Sequence, residues 1–377
     1  MRTATGAALG TAILLFATCG GEGGAGAPGA PSSGLVALPD IRPPLHARNI
    51  TPPPSPPAPT APTAPEVPHY LLDDSLKLNE IQLKGAHNAY HIRPEGPSDP
   101  AWAYDLPPLG DQMAQYGVRA FELDLHYYGG QFLVFHLPEW DERSTCYTLQ
   151  DCLAAIRTWS EAHPGHAPMV IFYELKDESD PVKVADHLDE LEQVLVDNWP
   201  RQNIFTPDDL DGKYPDPQSA LHAHGWPTLG QLRGKVIMAL HEFGLARHRY
   251  TYGSNGLWGR RMFVEAVDGS NRLAAILALD DADMLEGTIK HYVATGFLVR
   301  TRADDLPTFG GNRWIKSAAA FRSGAQFVLT DYPQPWYLPD YDSSLPGGTP
   351  GRCNPVTGPT GCLSGDVEDP ALLTKAP

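Results

Sequence analysis

The stretch RAFELDLHYYGGQFLVFH, residues 119–136, decides how the rest of the chain is read. It divides into two β-strands around a turn at Gly129-Gly130. On the first strand Glu122 and Asp124 are two residues apart, so both carboxylates point to one face, and Phe121, Leu123 and Leu125 face the other way into an apolar layer. A solvated surface strand would show the same alternation. Three further pieces argue for a site: His136 at the end of the second run, His87-Asn88 after an earlier strand-like segment, and Glu174 near the end of the apolar run from Met169. Polar groups recurring at the C-terminal ends of successive apolar strands are the sequence mark of a barrel active site.

Outward from this stretch the pattern alternates strand and helix. Strands are expected at Glu80–Leu83, Met169–Leu175 and Lys235–Leu240, with weaker ones at Met262–Ala266 and Ala274–Leu279. Two more run from Gly296 to Arg302 and from Ala325 to Thr330. Helical patterns cover Leu109–Tyr116, Leu149–His163, Pro181–Trp199, Thr228–Leu232, Asp281–Thr295 and Ser317–Ser323. This alternation over about 260 residues favours an α/β fold, a single (β/α)8 TIM-type barrel. The domain expected over 70–340 has no GxGxxG or P-loop phrase, and no internal repeat is evident.

The chain has 377 residues, of which 42% are hydrophobic and 19% charged, enough apolar matter for a substantial core. A net charge of −17 argues against a surface that binds nucleic acid or an anionic bilayer through basic residues. Residues 1–18 read as a signal peptide: Met1-Arg2 is the positive start, and the apolar run from Ala7 to Ala17 is too short to span a bilayer. Cys19, followed by Gly20-Gly21, resembles the acylation site of a bacterial lipoprotein, although Phe16 and Thr18 depart from the usual residues there. Lipid attachment at Cys19 and plain secretion both imply export. Residues 19–69 form a Pro/Gly-rich linker, extended and without a core to bury. A globular domain is expected over 70–340, and a Gly/Pro-rich tail over 341–377. Besides Cys19, the cysteines fall into two close pairs, Cys146/Cys152 and Cys353/Cys362. In an oxidising compartment such pairs read as disulfides worth about 2–3 kcal/mol each; neither has the CxxC spacing that would suggest zinc.

Asn88, Glu122, Asp124 and Glu174 supply oxygen only, a donor set that suits a hard cation, Ca2+ better than Zn2+. Two histidines beside such an ion suit attack on a phosphodiester, one taking a proton from the nucleophile and the other giving one to the leaving group. The ordered set His-Asn, Glu-x-Asp, His and Glu resembles the phosphoinositide-specific phospholipase C family, in particular its calcium-dependent exported bacterial branch. The supporting phrases are KGAHNAYHI, FELDLH, VFHLPEWDERSTCYTLQDCL, the Trp159-Ser-x-x-His-Pro segment, YELKD, GFLVRTRAD and RCNPVTGPTGC. Together they cover about residues 78–365 in order.

The resemblance implies His87 and His136 as the catalytic pair, with Asn88, Glu122, Asp124 and Glu174 as calcium ligands. Glu122 or Glu174 could share the general-base role. Lys176, Arg300 and Arg302 are candidates for the phosphate or the inositol ring, with Asp304 and Tyr332 behind them. Lys176 is also a rival partner for Glu174, and Arg300 and Arg302 could pair with Asp304 or Asp305. His91 and His126 read as hydrogen-bonded neighbours, and His126 shares the face of Glu122 and Asp124. Trp102, Tyr104, Trp336 and Tyr337 are candidates for dipping into a bilayer. The implied substrate is a phosphatidylinositol-type lipid at a membrane surface, with no nucleic acid, no protein partner and a monomeric state. Glycerophosphodiester phosphodiesterases and sphingomyelinase D-like phospholipases use similar logic. The former has Arg-Gly after the first histidine where this chain has Asn88-Ala89. A surface binding module that has lost catalysis is the alternative of another class.

Overall fold

The computed structural model describes residues 67–96, 98–304, 313–335, 337–348 and 350–373. The expected signal peptide, Cys19, all but the end of the linker, Asp305 and Trp336 lie outside the described residues. Strands among them run β1 (Ile81–Ala86), β2 (Ala120–Tyr128), β3 (Gln131–Val134), β4 (Met169–Leu175), β5 (Ile204–Phe205) and β6 (Val236–Leu240). They continue with β7 (Met262–Ala266), β8 (Ala274–Asp281), β9 (Leu298–Arg302), β10 (Phe327–Thr330) and β11 (Gly351–Cys353). β1, β2, β4, β6, β7, β8, β9 and β10 pair in parallel, and because β1 bonds both β10 and β2 the eight close into a barrel.

Alternation sorts the side chains into two layers. Ala120, Phe172, Ala239, Phe263, Ile276, Leu298 and Phe327 pack in one cluster inside the barrel, while Phe121, Leu123, Ile171, Tyr173 and Val299 pack outward in a second cluster with the helices. Phe172 and Phe327 meet edge to face at 5.7 Å; each buried ring stabilises the fold by about 1.5–3 kcal/mol. Gly85 faces inward where β1 joins the sheet: a Cβ there would lie 2.8 Å from Leu329 Cδ1 and 3.0 Å from Ala120 Cβ. The barrel closes tightly at that point because there is no side chain.

The β2–β3 hairpin turns at Gly129-Gly130, with φ of 58° and 82°, the paired positive angles of a tight hairpin that glycine adopts at little cost. The helix Leu149–Ala162 starts under a Thr148 cap that accepts from the Asp151 amide. The expected helix over Pro181–Trp199 is shorter, Leu188–Asn198. Its first part is captured instead by Asp177, whose carboxylate accepts from the amides of Val184 and Ala185 at 2.6 and 3.1 Å, a local bond that competes with the helical one.

The C-terminal segment is not a loose tail. β11 pairs antiparallel with the first half of β1, Ile81 opposite Cys353, where β2 does not reach. Asn354 bonds the carbonyls of Ile81 and Gly324. Glu368 is fully buried and accepts from Arg119, itself buried, and from the Ala167 amide. The boundary expected near residue 340 is therefore absent, since main-chain pairing and a buried ion pair join this segment to the barrel. Disulfides Cys146–Cys152 and Cys353–Cys362 are both formed. Among the described residues no helix is long and apolar enough to cross a membrane.

Candidate active site

Inward-facing positions change character along the strands. On β2 the apolar Ala120 is followed by Glu122 and Asp124, both fully buried. On β4, Phe172 is followed by Glu174, and the register sets Asp124 beside Glu174. Two residues further on, Lys176 places Nζ 3.1 Å from Asp124 Oδ2 and 3.0 Å from Glu174 Oε1. Burial alone would raise Glu174, but the charges of Lys176 and His241 outweigh it and hold the carboxyl at about 2. For Asp124 burial prevails over Lys176, with repulsion from Glu174 and Glu122 adding to it, and its pKa is raised. Lys176 is itself raised, burial being overcome by the two carboxylates.

His87 follows β1. Its Nδ1 lies 2.6 Å from Asp331 Oδ1 and its Nε2 3.2 Å from Glu122 Oε1. Burial and Arg302 push the imidazole down, Glu122 and Asp331 push it up, and the net shift is upward. Asp331 is held at about 2, because His87 and Arg302 outweigh its burial. Asn88 sits in the left-handed region at φ 42°, a conformation asparagine tolerates better than most residues, with its amide against the Tyr104 hydroxyl. His136, beyond β3, sets Nδ1 2.9 Å from Asp141 Oδ2, and the same oxygen lies 2.9 Å from His91 Nε2. One buried carboxylate thus positions both rings. His91 is a hydrogen-bonded neighbour as expected. His126, despite its shared face, is turned to Asp180 at 2.7 Å and to the Phe135 carbonyl at 2.9 Å. Tyr104 is 2% exposed and stacks on His91, so it is closed to a bilayer.

The remaining strand ends carry groups that the sequence reading did not select: His241 after β6, Glu265 on β7, Asp280 on β8 and Asp331 after β10. Arg300 is buried and pairs with Glu122 and Asp280, the latter at 2.9 Å, rather than with Asp304. Arg302 pairs with Asp331 at 3.2 Å. Asp304 lies behind the site with no exposure. Its oxygens accept from the Asp331 amide and the Tyr341 hydroxyl, both at 2.8 Å, and from Thr330. Asp304 is therefore placed to hold Asp331, not to touch substrate. Tyr332 is nearly buried, 5.9 Å from the Tyr104 ring. Each missed residue obeys the strand-end rule that marked Glu174; Asp141, in a charged loop, does not.

The acids fit a cation. Asp124 Oδ1 is buried without a hydrogen bond while Lys176 meets only Oδ2 of the same carboxylate, a costly state for a carboxylate oxygen unless a further positive charge meets it. Ligand atoms of Glu122, Glu174 and His241 all lie within 4.8 Å of one another.

The closed parallel barrel thus gathers carboxylates at its strand ends beside two carboxylate-held imidazoles, and its family is one of phosphoric-diester hydrolases. The chain belongs to the Ca2+-dependent phosphoinositide phospholipase C family, whose sequence model matches residues 128–355. His87, Asn88, Glu122 and Asp124 precede that span. Among solved structures it is similar to a Ca2+-dependent phosphatidylinositol-specific phospholipase C from Streptomyces antibioticus, at 20% identity and a TM-score of 0.50. That match covers 69% of this chain and 96% of the other. It is also similar to a calcium-dependent phosphoinositol-specific phospholipase C from a Pseudomonas species, at 17% identity and a TM-score of 0.51, covering 75% of this chain and 97% of that one. A myoinositol complex of the Pseudomonas enzyme matches at the same identity and TM-score, over 74% and 96%. At these identities the likeness shows the fold. No curated protein sequence matches the chain.

Proposed function

We propose that the chain is a calcium-dependent phospholipase C that cleaves phosphatidylinositol-type lipids to diacylglycerol and inositol 1,2-cyclic phosphate, later opened by water. The observation that carries this reading is the pair of imidazoles, His87 and His136, each bonded through Nδ1 to a buried carboxylate. That bond leaves Nε2 as the working nitrogen on each ring; on His87 it faces Glu122 Oε1 at 3.2 Å, a contact that Ca2+ on Glu122 would loosen. His87 takes the proton from the inositol 2-hydroxyl as its oxygen bonds to phosphorus. His136 gives a proton to the glycerol oxygen as its bond to phosphorus breaks. Asp331 and Asp141 stabilise whichever ring carries the proton. Ca2+ held by Glu122, Asp124 and Glu174, with Asn88 beside them, would offset the charge that builds on the phosphoryl oxygens and lower the pKa of an oxygen it binds. Lys176 and Arg300 hold those acids in place and offer their remaining N–H groups to phosphate or ring hydroxyls, and Arg302 does the same beside Asp331.

Lipid delivery is supported by the rim. Segments leaving the C-terminal ends of the strands expose Trp140, Val182, Leu245, Val267, Met284 and Trp314, large apolar side chains suited to shallow insertion among lipids. The chain acts as an exported protein, carried by residues 1–18 and attached to lipid through Cys19 or released. The plain test is release of water-soluble inositol phosphate from phosphatidylinositol mixed micelles, with Ca2+ or with excess EGTA, for wild type and His87→Ala. Cyclic product that needs calcium and is lost in the variant supports the reading. Release of choline from lysophosphatidylcholine or sphingomyelin, with inositol lipids untouched, would move the chain to the phospholipase D-like branch.

A further inference from the structure

We infer that a pocket on the outer side of β1, walled by the helices Leu109–Tyr116 and Leu149–Ala162 and by the C-terminal segment, binds a single-chain fatty carboxylate. Its carboxylate sits on the Lys84 ammonium and its apolar chain lies against Met113, Tyr116 and Leu345. The pocket shares no residue with the barrel mouth and stands whether or not the proposed reaction does.

Lys84 lies between the inward-facing Leu83 and Gly85, so alternation turns it out of the barrel. It is 5% exposed and lines a cavity of about 300 Å³. Its Nζ donates to the Pro333 carbonyl at 2.5 Å. An ammonium has three N–H groups, and no other group among the described residues accepts from this one. The remaining buried cations are treated differently. Arg119, Arg260, Arg300 and Lys316 each pair with a carboxylate, of Glu368, Asp189, Glu122 and Asp281 in turn. Lys84 has no carboxylate within ion-pair distance among the described residues. Asp342 acts on it only from further away, its Oδ1 taken by the amide and hydroxyl of Ser344. Burial therefore prevails and pushes the ammonium down to about 8. A buried charge without a counter-charge is costly, and an incoming anion removes that cost.

The rest of the lining decides which kind of anion fits. Arg119 and His163 also reach the wall, but both are engaged. Arg119 gives Nε and Nη2 to Glu368 and Nη1 to the carbonyls of Met113 and Val118, and its face covers Trp159 at 4.3 Å. His163 sets Nδ1 2.7 Å from the Trp159 carbonyl and stacks on the indole at 4.2 Å. One ammonium is left among Met113, Tyr116, Leu345 and Leu373, an apolar wall with a single charged anchor, the usual makeup of a small-molecule site. A sugar or a multiply charged phosphate would press polar groups against those carbons, whereas a fatty carboxylate matches both parts of the lining. At about 30 Å³ for each water-sized unit, the cavity holds about ten non-hydrogen atoms, the size of octanoate.

The test is calorimetric titration of the full chain, in EGTA, with octanoate and with octanamide, its neutral isostere. Octanoate should bind one to one, and octanamide at least about tenfold more weakly. Octanoate is ionised at every pH used, so its affinity should hold up to about pH 8 and then fall by up to about tenfold per unit as the empty pocket loses its ammonium. Binding of octanamide should not follow pH. Lys84→Met should weaken octanoate by at least about tenfold, whereas octanoate seated at the barrel mouth would be indifferent to that change. Ala114→Trp, at an exposed helix position on the pocket wall, should block binding without touching the buried lysine. The wild-type comparisons need no variant, so a folding defect in Lys84→Met does not shelter the inference. Failure of octanoate to bind, equal affinity for octanamide, affinity unchanged up to pH 10, or full affinity in Lys84→Met would each overturn it, and calcium-dependent hydrolysis would be left as it stands.

Discussion

Replacing Asp331 by Asn tests the reading of His87 at one atom. Asp331 accepts from His87 at 2.6 Å and pairs with Arg302 at 3.2 Å. Its burial would raise the carboxyl, but those two neighbours hold it at about 2 against an ordinary 3.8. At 1.36 kcal/mol per unit, that gap corresponds to about 2 kcal/mol of folding stability at neutral pH. The sign follows from proton counting: the unfolded chain binds the proton more readily, so the contribution is complete above the unfolded value and is lost as pH falls through about 2. The asparagine variant should therefore be less stable by about 2 kcal/mol at pH 7 and by about half of that at pH 3 in denaturant titrations. The activity effect is larger, because an amide neither orients the ring in the working tautomer nor stabilises its cation. A fall in kcat/KM of about 10²–10⁴ is expected.

The pH profile of the same variant separates this role from a structural one. Asp331 is among the groups that raise His87, and a general base must be unprotonated, so the Asp331 carboxylate holds the acid limb of kcat/KM at higher pH than it would be without it. Without the carboxylate the limb should move to lower pH, even though the maximum rate has fallen. Activity within threefold of wild type, with the acid limb unmoved, would refute the assignment of His87 as the base oriented by Asp331.

Two further perturbations probe the frame and the rim. Glu368→Gln leaves the buried Arg119 guanidinium without its counter-charge, and should destabilise the fold by about 3–5 kcal/mol in urea titrations; a loss under 1 kcal/mol would mean that the C-terminal segment does not brace the barrel. Leu245 and Met284 are 61% and 75% exposed, so changing both to Ala should spare folding. It should lower hydrolysis of phosphatidylinositol vesicles by about tenfold, since each inserted side chain contributes on the order of 1 kcal/mol or more. A monomeric short-chain substrate should be turned over within twofold of wild type, and equal losses on both substrates would remove the rim from membrane binding.

What could be read from the sequence was whatever depends on a short period. Parity along Ala120–Tyr128 set Glu122 and Asp124 on one face, and the glycine pair fixed the hairpin. The strand-end rule found Glu174 because a very apolar run precedes it. The same rule applied to Val236–Leu240 and to Phe327–Thr330 would have reached His241 and Asp331, which follow equally apolar runs. Glu265 hid in a weaker strand pattern, and Asp141 lies in EWDER, where nothing local distinguishes a buried acid from a solvated one. Long-range pairs had no local signal at all: Arg119 and Glu368 are 249 positions apart, and the last segment's glycines and prolines mask a strand that binds β1.

The charges at the barrel mouth also could not be paired from the sequence, and their pairing is what the chemistry depends on. Lys176 reads as a cation for phosphate or a partner for Glu174, and the register, placing Asp124 beside Glu174, adds a second carboxylate to its ammonium. Arg300 reads as a cation for substrate or a partner for Asp304 or Asp305, and its partners are instead Glu122 and Asp280. Glu122, Asp124, Glu174, Glu265, Asp280 and Asp331 thus share the mouth with the permanent cations Lys176, Arg300 and Arg302, so carboxylates outnumber fixed positive charges by two to one. In a buried site such a surplus is relieved by protonating acids, by charging histidines or by binding a cation. The first route costs ligands and the second disables a general base, since a protonated His87 cannot accept from a hydroxyl. A divalent cation would relieve the surplus while leaving the carboxylates ionised and His87 free to act, so on the proposed reading calcium dependence and histidine catalysis are two consequences of the same excess of acid.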